Sequence, residues 1–332
     1  MNAFDDTGLA VRAGKLTRRT TLKLGGAAAL GAAGPWNAAI AATESERMGK
    51  SILAPHSAGS AQPEFPLPGD ACDAHIHIFS QRFPMAAGDT RRIDDASVED
   101  YGQLQQRLGS SRVVVVQPST YGTDNRCLVE ALGRFGATAR GIAVVDSSVT
   151  DDELKSLAAA GVRGIRFNIA RAGATRVDMI EPLARRIAPL GWHVQIHMEA
   201  DEIAHLATLW ERLPVPIVFD HMGRIPAKDG TAHPAYGVVR RLLDRGQTWV
   251  KLSAAYAVSA EGAPAYADVA NLAQALHQAR PDRMLWGSDW PHSSLKVKPD
   301  DAVLLSLLGR WIPEASARSQ VLVDNPRALY RF

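Results

Sequence analysis

The 332-residue chain holds only two cysteines, Cys72 and Cys127, which excludes a disulfide-built scaffold. It lacks any undiluted apolar run of about 18 residues, the length that spans a bilayer. Neither sign of charge dominates, with 37 Lys and Arg against 35 Asp and Glu. Charged residues make up 22%, so neither a disordered chain nor a coiled coil is the main architecture. No Gly-x-Ser-x-Gly elbow occurs, which argues against an α/β-hydrolase serine esterase. What remains is a globular chain, 46% hydrophobic, long enough for one large domain or two small ones.

The slight basicity sits at the N-terminus. Residues 17–23 read Thr-Arg-Arg-Thr-Thr-Leu-Lys and precede a mild apolar run rich in Ala and Gly, ending near Ala39-Ile40-Ala41. A paired-Arg segment, a weak apolar segment and a small-residue site resemble a bacterial twin-arginine export signal over 1–42. A disordered Ala/Gly tail is the plainer alternative. The reading places the mature protein in the periplasm, or in the cytoplasm if the signal is not used. Without residues 1–42 the chain carries 32 basic and 33 acidic residues, so no nucleic-acid footprint is expected. No membrane insertion is expected after signal cleavage. Residues 43–69, rich in Ser, Pro, Gly and Ala, read as a flexible lead-in.

From residue 70 a regular alternation begins. Apolar or β-branched runs recur at 71–79, 112–117, 140–146, 162–169, 193–198, 216–222, 248–253 and 283–289. Segments with helical spacing lie between them: Val98–Leu108, Leu128–Phe135, Asp151–Ala160, Met179–Leu190, Asp201–Leu213, Pro234–Arg245, Tyr266–Ala279 and Asp300–Trp311. Near-continuous apolar strands alternating with helices predict a parallel sheet covered by helices. Eight units over 70–332 predict one α/β domain, a (β/α)8 TIM barrel. An open doubly wound sheet is the alternative, but no Gly-rich phosphate fingerprint follows the first strand. Thr150-Asp151-Asp152-Glu153 has the form of a helix cap, and Gly161 suits that helix's end.

In such a barrel the C-terminal ends of the strands converge on one mouth. Asp73, His75 and His77 share the parity of strand one and are expected to point inward. His197 ends strand five, His221 ends strand six and Asp289 ends strand eight. One histidine on an apolar strand is ordinarily a hydrogen-bonded core residue. Four histidines and a carboxylate at the ends of four strands form a candidate site.

The pattern Asp73-Ala74-His75-Ile76-His77 resembles the amidohydrolase superfamily. The stretches Val116–Asn125, Gly164–Asn168, Phe219–Arg224 and Trp286-Gly287-Ser288-Asp289-Trp290-Pro291-His292 narrow the resemblance. They point to the amidohydrolase-related branch of 2-pyrone-4,6-dicarboxylate lactonases, 4-sulfomuconolactone hydrolases and D-galactarolactone isomerases. The resemblance implies a hydrolase that opens a small anionic lactone in aromatic-compound catabolism. The same barrel could instead isomerise a sugar-acid lactone, and a decarboxylase or a non-catalytic binding barrel is a third option. Members that bridge two metals carry Lys or Glu at the end of strand four; here the chain reads Arg166-Phe167-Asn168. At most one ion is therefore expected, Zn²⁺ or Mn²⁺ on His75, His77, His197 and Asp289, and metal-free members of the branch make none an equal option.

Lactone opening needs an activated water and a polarised carbonyl. Asp289 is the expected general base, with His75, His77 and His197 as polarising groups. Arg166, Arg171 and Arg224 suit an anionic substrate, because a guanidinium binds carboxylate or sulfonate through paired hydrogen bonds. Ser119, Tyr121, Thr123, Asn125, His221, Tyr256 and His292 are further candidate substrate contacts, although all of these except His221 equally suit turn or cap chemistry. Cys72 at the barrel's bottom and Cys127 near its top stand too far apart to pair. A monomer or small homo-oligomer is expected.

Overall fold

Each β-branched run becomes a strand and each helical stretch packs outside it. The computed structural model describes residues 53–91, 93–171 and 173–332; the expected export signal lies outside them. The strands are β1 (Cys72–Ile76), β2 (Arg112–Val116), β3 (Ala139–Ala143) and β4 (Val162–Asn168). They continue as β5 (His193–His197), β6 (Ile217–Phe219), β7 (Thr248–Ser253) and β8 (Met284–Gly287). All neighbours pair in parallel and in sequence order. The ends of the sheet meet beyond β8, where Asp289 N donates to His75 O (2.9 Å) and His77 N to Trp290 O (2.8 Å). At this seam a Cβ on Gly287 would stand 2.6 Å from the Cβ of His75, so only glycine fits. The chain is a (β/α)8 TIM barrel.

The helices that link the strands are α1 (Val98–Leu108), α2 (Arg126–Phe135), α3 (Asp151–Ala159) and α4 (Ile180–Ile187). They continue as α5 (Ala200–His205), α6 (Ala207–Arg212), α7 (Pro234–Asp244), α8 (Val269–Ala279) and α9 (Asp301–Trp311). The expected cap of α3 is a reciprocal box, with Glu153 N donating to Thr150 Oγ1 and Thr150 N to the Glu153 carboxylate. Gly161 follows with φ 101°, the left-handed stop that glycine adopts without penalty. The single helix expected over 201–213 is broken at Leu206 into α5 and α6.

Two expectations change. Residues 53–69 are not a flexible lead-in but a strap on the barrel. Trp290 Nε1 donates to Pro55 O (2.8 Å), and buried Arg107 of α1 donates to Gly59 O (2.7 Å) and Ser57 Oγ (2.6 Å). A buried guanidinium requires acceptors, and this strap provides them. Asp73, second, does not face inward with His75. A register shift between Asp73 and Ile76 interrupts the period of two. Asp73 instead accepts from Tyr101 Oη on α1 (3.2 Å) and from Ser288 N (2.9 Å).

Candidate active site

Residues just past the strand ends carry unusual backbone conformations. His221, Met222, Arg224, Ala254, Asp289 and His292 all have positive φ, between 49° and 66°. Left-handed backbone at non-glycine residues costs free energy and concentrates where geometry serves function. Here it clusters around a cavity of about 290 Å³ at the barrel mouth. Of the residues singled out in the sequence, His77, Ser119, Arg166, Arg171, His197, His221, Arg224, Tyr256 and Asp289 line it.

Asp289 is the centre. Its Oδ1 stands 3.5 Å from His75 Nε2, 3.5 Å from His77 Nε2 and 3.8 Å from His221 Nε2. Its Oδ2 accepts a 2.5 Å hydrogen bond from Tyr256 Oη. Burial alone would push the Asp289 carboxyl up; the facing His221, His77 and His75 rings outweigh it and hold the group well below the usual carboxylate range. His75 lies fully buried beneath the cavity floor. Burial, reinforced by the Lys251 ammonium, drives its imidazole well below the usual value. His197 is driven down by burial and then by Arg166, and it meets the His221 ring edge-on at 5.1 Å.

The residues behind His75 were not foreseen. Lys251 on β7 is fully buried, with Nζ donating to Gln195 Oε1 (2.8 Å) and standing 3.3 Å from His75 Nδ1. Asp220 lies between cations: its Oδ2 accepts from Arg166 Nε (3.1 Å), and its Oδ1 is 3.5 Å from Lys251 Nζ and 3.3 Å from His75 Nδ1. Burial would raise the Asp220 carboxyl, but His75, Lys251 and Arg166 together hold it well below its usual range. Burial lowers Lys251 to about 8 despite Asp220. A single Lys or Asp in an otherwise apolar strand carries no signal of its own. Only the inward parity of Lys251 with Trp249 and Ser253 could have flagged it.

Several expected substrate contacts fall outside the cavity. Tyr121 is buried, and its hydroxyl donates to Ser80 O (3.0 Å) and accepts from Ser80 N (2.8 Å), fixing the loop after β1. His292 is buried behind Tyr256, with Nδ1 3.1 Å from Tyr256 Oη and Nε2 3.1 Å from Asp301 Oδ1. Among the remaining cations, Arg166 is committed to Asp220, while Arg224 pairs with Glu199 at 3.0 Å. Arg91, which sequence reasoning missed, joins the rim beside Ser119 (3.4 Å) while paired with Asp89. Thr120, Asn168, His197 and Arg224 each present a buried polar atom with no protein partner. Such atoms on a cavity wall are the contacts a polar ligand can satisfy.

The donor set bears on a metal. His77 Nδ1 is 2.7 Å from Val116 O; a carbonyl only accepts, so Nδ1 carries a proton and Nε2 is the ring nitrogen turned toward the Asp289 carboxylate. A proton or a cation between that nitrogen and the carboxylate would join the two groups. His75, His77 and Asp289 have ligand atoms within 4.8 Å of one another, so these residues fit one divalent ion with nitrogen and oxygen ligands. The expected fourth ligand, His197, lies outside that group, because it packs against His221 instead. A second cluster, His75, Asp220 and His221, already holds Lys251 and Arg166 against its carboxylate.

The family model for amidohydrolases matches residues 72–332. The chain belongs to the amidohydrolase family. It is 38% identical over 286 residues to a 2-pyrone-4,6-dicarboxylate hydrolase of Comamonas testosteroni, covering 82% of this chain and 94% of that one. A 4-sulfomuconolactone hydrolase of Rhizobium radiobacter is 36% identical, covering 82% and 94%. A D-galactarolactone isomerase of Agrobacterium fabrum strain C58 is 30% identical, covering 81% and 94%. Among solved structures, a putative 2-pyrone-4,6-dicarboxylic acid hydrolase from Pseudomonas putida superposes with TM-score 0.71 at 33% identity, covering 80% of this chain and 98% of that one.

Proposed function

We propose that this amidohydrolase opens a small anionic lactone by hydrolysis. The observation that carries the reading is the Asp289 carboxylate, ringed by His75, His77 and His221 on the floor of a cavity rimmed by Arg91, Arg171 and Arg224. The arginines bind the substrate's carboxylate or sulfonate and place the lactone carbonyl over the histidines. Asp289 Oδ1 takes a proton from the attacking water. His197 and His221 stabilise the charge that develops on the carbonyl oxygen, and the proton on Asp289 then passes to the departing ring oxygen. An ion held by His75, His77 and Asp289 would supply Lewis-acid polarisation of that carbonyl when bound.

Ring isomerisation is the second reading, supported by the 30% identity to the galactarolactone isomerase. The same base then removes a substrate proton and returns it elsewhere. The paired-Arg segment at Arg18-Arg19 supports export to the periplasm, which cell fractionation tests directly.

The deciding experiment is a pH-indicator assay on purified protein with 2-pyrone-4,6-dicarboxylate, 4-sulfomuconolactone, D-galactarolactone and neutral lactones, before and after chelation, in ¹⁸O-water. Acid release from an anionic lactone with one ¹⁸O entering the product carboxylate is the expected result. A rearranged ring without label selects isomerisation. Turnover of neutral lactones alone refutes the role given to the arginines. Loss on chelation with recovery on Zn²⁺ assigns His75 and His77 as ligands; survival leaves them as polarising groups.

A further inference from the structure

His292 was expected to touch substrate, yet it stands behind the cavity as the middle of a buried chain. Asp301 is the first residue of α9, is fully buried, and places both carboxylate oxygens 3.1 and 3.2 Å from His292 Nε2. His292, also fully buried, sets Nδ1 3.1 Å from Tyr256 Oη. Tyr256 closes the chain with its 2.5 Å hydrogen bond to Asp289 Oδ2. Four side chains from three separate segments thus run in series from a helix N-terminus outside the barrel to the carboxylate at its mouth.

We infer that Asp301 and His292 are positioning residues that act through Tyr256 to aim the Asp289 carboxylate. This inference rests on Asp289 being the base in the reading above. Asp289 sits on a left-handed backbone (φ 66°) two residues beyond the end of β8. One oxygen must be tied for the other to face His75, His77 and His221. Tyr256 supplies the tie, donating its one proton to Oδ2. The tie is only as firm as Tyr256 itself, which lies in a loop turn after Ala254 and borders the open cavity. His292 holds that hydroxyl from behind, and Asp301 fixes the imidazole ring in the orientation that reaches it. The His292 backbone N–H also donates to Asp289 O at 2.9 Å, so the same residue secures both the main chain and the side chain of the base. Errors of about 1 Å in a reacting group can cost a hundredfold in rate, which is the scale on which this support acts.

The test is a double-mutant cycle with 2-pyrone-4,6-dicarboxylate as the probe. Asp301→Leu should lower kcat about tenfold with KM within about twofold, and Tyr256→Phe should lower it at least as much. Combined with Tyr256→Phe, Asp301→Leu should have no further effect on kcat, because its path to Asp289 is already cut. Asp301→Asn keeps an acceptor for the imidazole and should restore kcat to within about threefold of the starting protein. It also serves as the second variant if Asp301→Leu does not fold. A merely structural role predicts losses that add in the double variant and track thermal stability; that result overturns the inference, as does a raised KM at unchanged kcat. Crystal structures of the Asp301 variants provide an arm independent of turnover. Asp289 Oδ1 should leave its position 3.5 Å from His75 and His77 Nε2 in the Leu variant and keep it in the Asn variant. If the unmutated protein leaves every lactone untouched, the lactonase reading fails, and the crystallographic arm alone decides the positioning role. An Asp289 carboxylate unmoved in the Leu variant refutes it.

Discussion

Asp220→Asn should destabilise the barrel severely while leaving its shape intact. Asp220 is fully buried, and its carboxylate is the shared counter-charge for Arg166 at 3.1 Å and Lys251 at 3.5 Å, with Gln195 Nε2 donating to it at 3.2 Å. Removing its charge leaves two buried cations facing one another across a neutral amide. Breaking a buried ion pair from one side costs roughly 3–5 kcal/mol. Asparagine keeps one acceptor, which favours the lower end. Lys251, already lowered to about 8 from an ordinary 10.5, can also escape by losing its proton, which caps its share at roughly 1.4 kcal/mol at pH 7. The expected loss is about 3 kcal/mol, or roughly 5 °C in Tm for a barrel of this size. Urea unfolding followed by tryptophan fluorescence, with a thermal melt beside it, measures it. A loss under about 1 kcal/mol would refute the reasoning, because it would mean that the interior cations never depended on Asp220.

The carboxylate at the mouth should behave oppositely. Asp289→Asn is expected to cut kcat on an anionic lactone by about a thousandfold or more while leaving the melting temperature level or higher, because its side chain borders the cavity. Arg171→Ala should raise KM about tenfold with kcat nearly kept, as measured by initial rates, since an exposed rim guanidinium binds ground and transition states alike. His193, buried under the barrel floor against Tyr330, is pushed by burial from 6.5 down to about 3. A depressed histidine contributes stability above its unfolded value that is lost as pH falls toward its folded one, because only the unfolded state takes the proton. Denaturant titrations of His193→Gln should therefore show a slope of stability against pH shallower by about 1.4 kcal/mol per unit between pH 6 and 4. An unchanged slope would show that His193 is not the group being titrated.

The barrel was legible because each of its parts has a local cause. Val98–Leu108 forms a helix over the bounds its spacing indicates, since Ser97 and Asp100 cap one end reciprocally and Gly109 stops the other. The break at Leu206 was not legible; no Pro or Gly marks it, and the apolar period continues across it. Asp289, His75 and His77 could be placed together because each ends a strand at the same mouth. His197 also ends a strand, yet its ring turns to His221, a choice of rotamer that spacing does not encode. Asp73 was misplaced because parity holds only while register does, and β1 slips by a residue before Ile76. His292 and Tyr121 look like loop residues in the chain; their burial arises from contacts with Asp301 and Ser80 that lie 9 and 41 residues away.

The interior also explains why Arg166 suits this barrel where bridging members of the superfamily carry Lys or Glu. Its guanidinium reaches across to Asp220 on the next strand but one, and Lys251 approaches the same carboxylate from β7. Two fixed cations are thus already paired with one fixed anion beneath the cavity floor. A dication placed beside them would add like charge to a low-dielectric interior, where repulsion is poorly screened. One layer higher, Asp289 faces the Nε2 atoms of His75, His77 and His221 with no fixed Lys or Arg against its carboxylate among the described residues. Charge therefore divides the barrel into two levels. The lower, with Lys251, Arg166 and Asp220, is balanced by the protein itself and governs stability. The upper, with Asp289 and the histidines, is left to be balanced by a proton or an ion, and there the chemistry belongs.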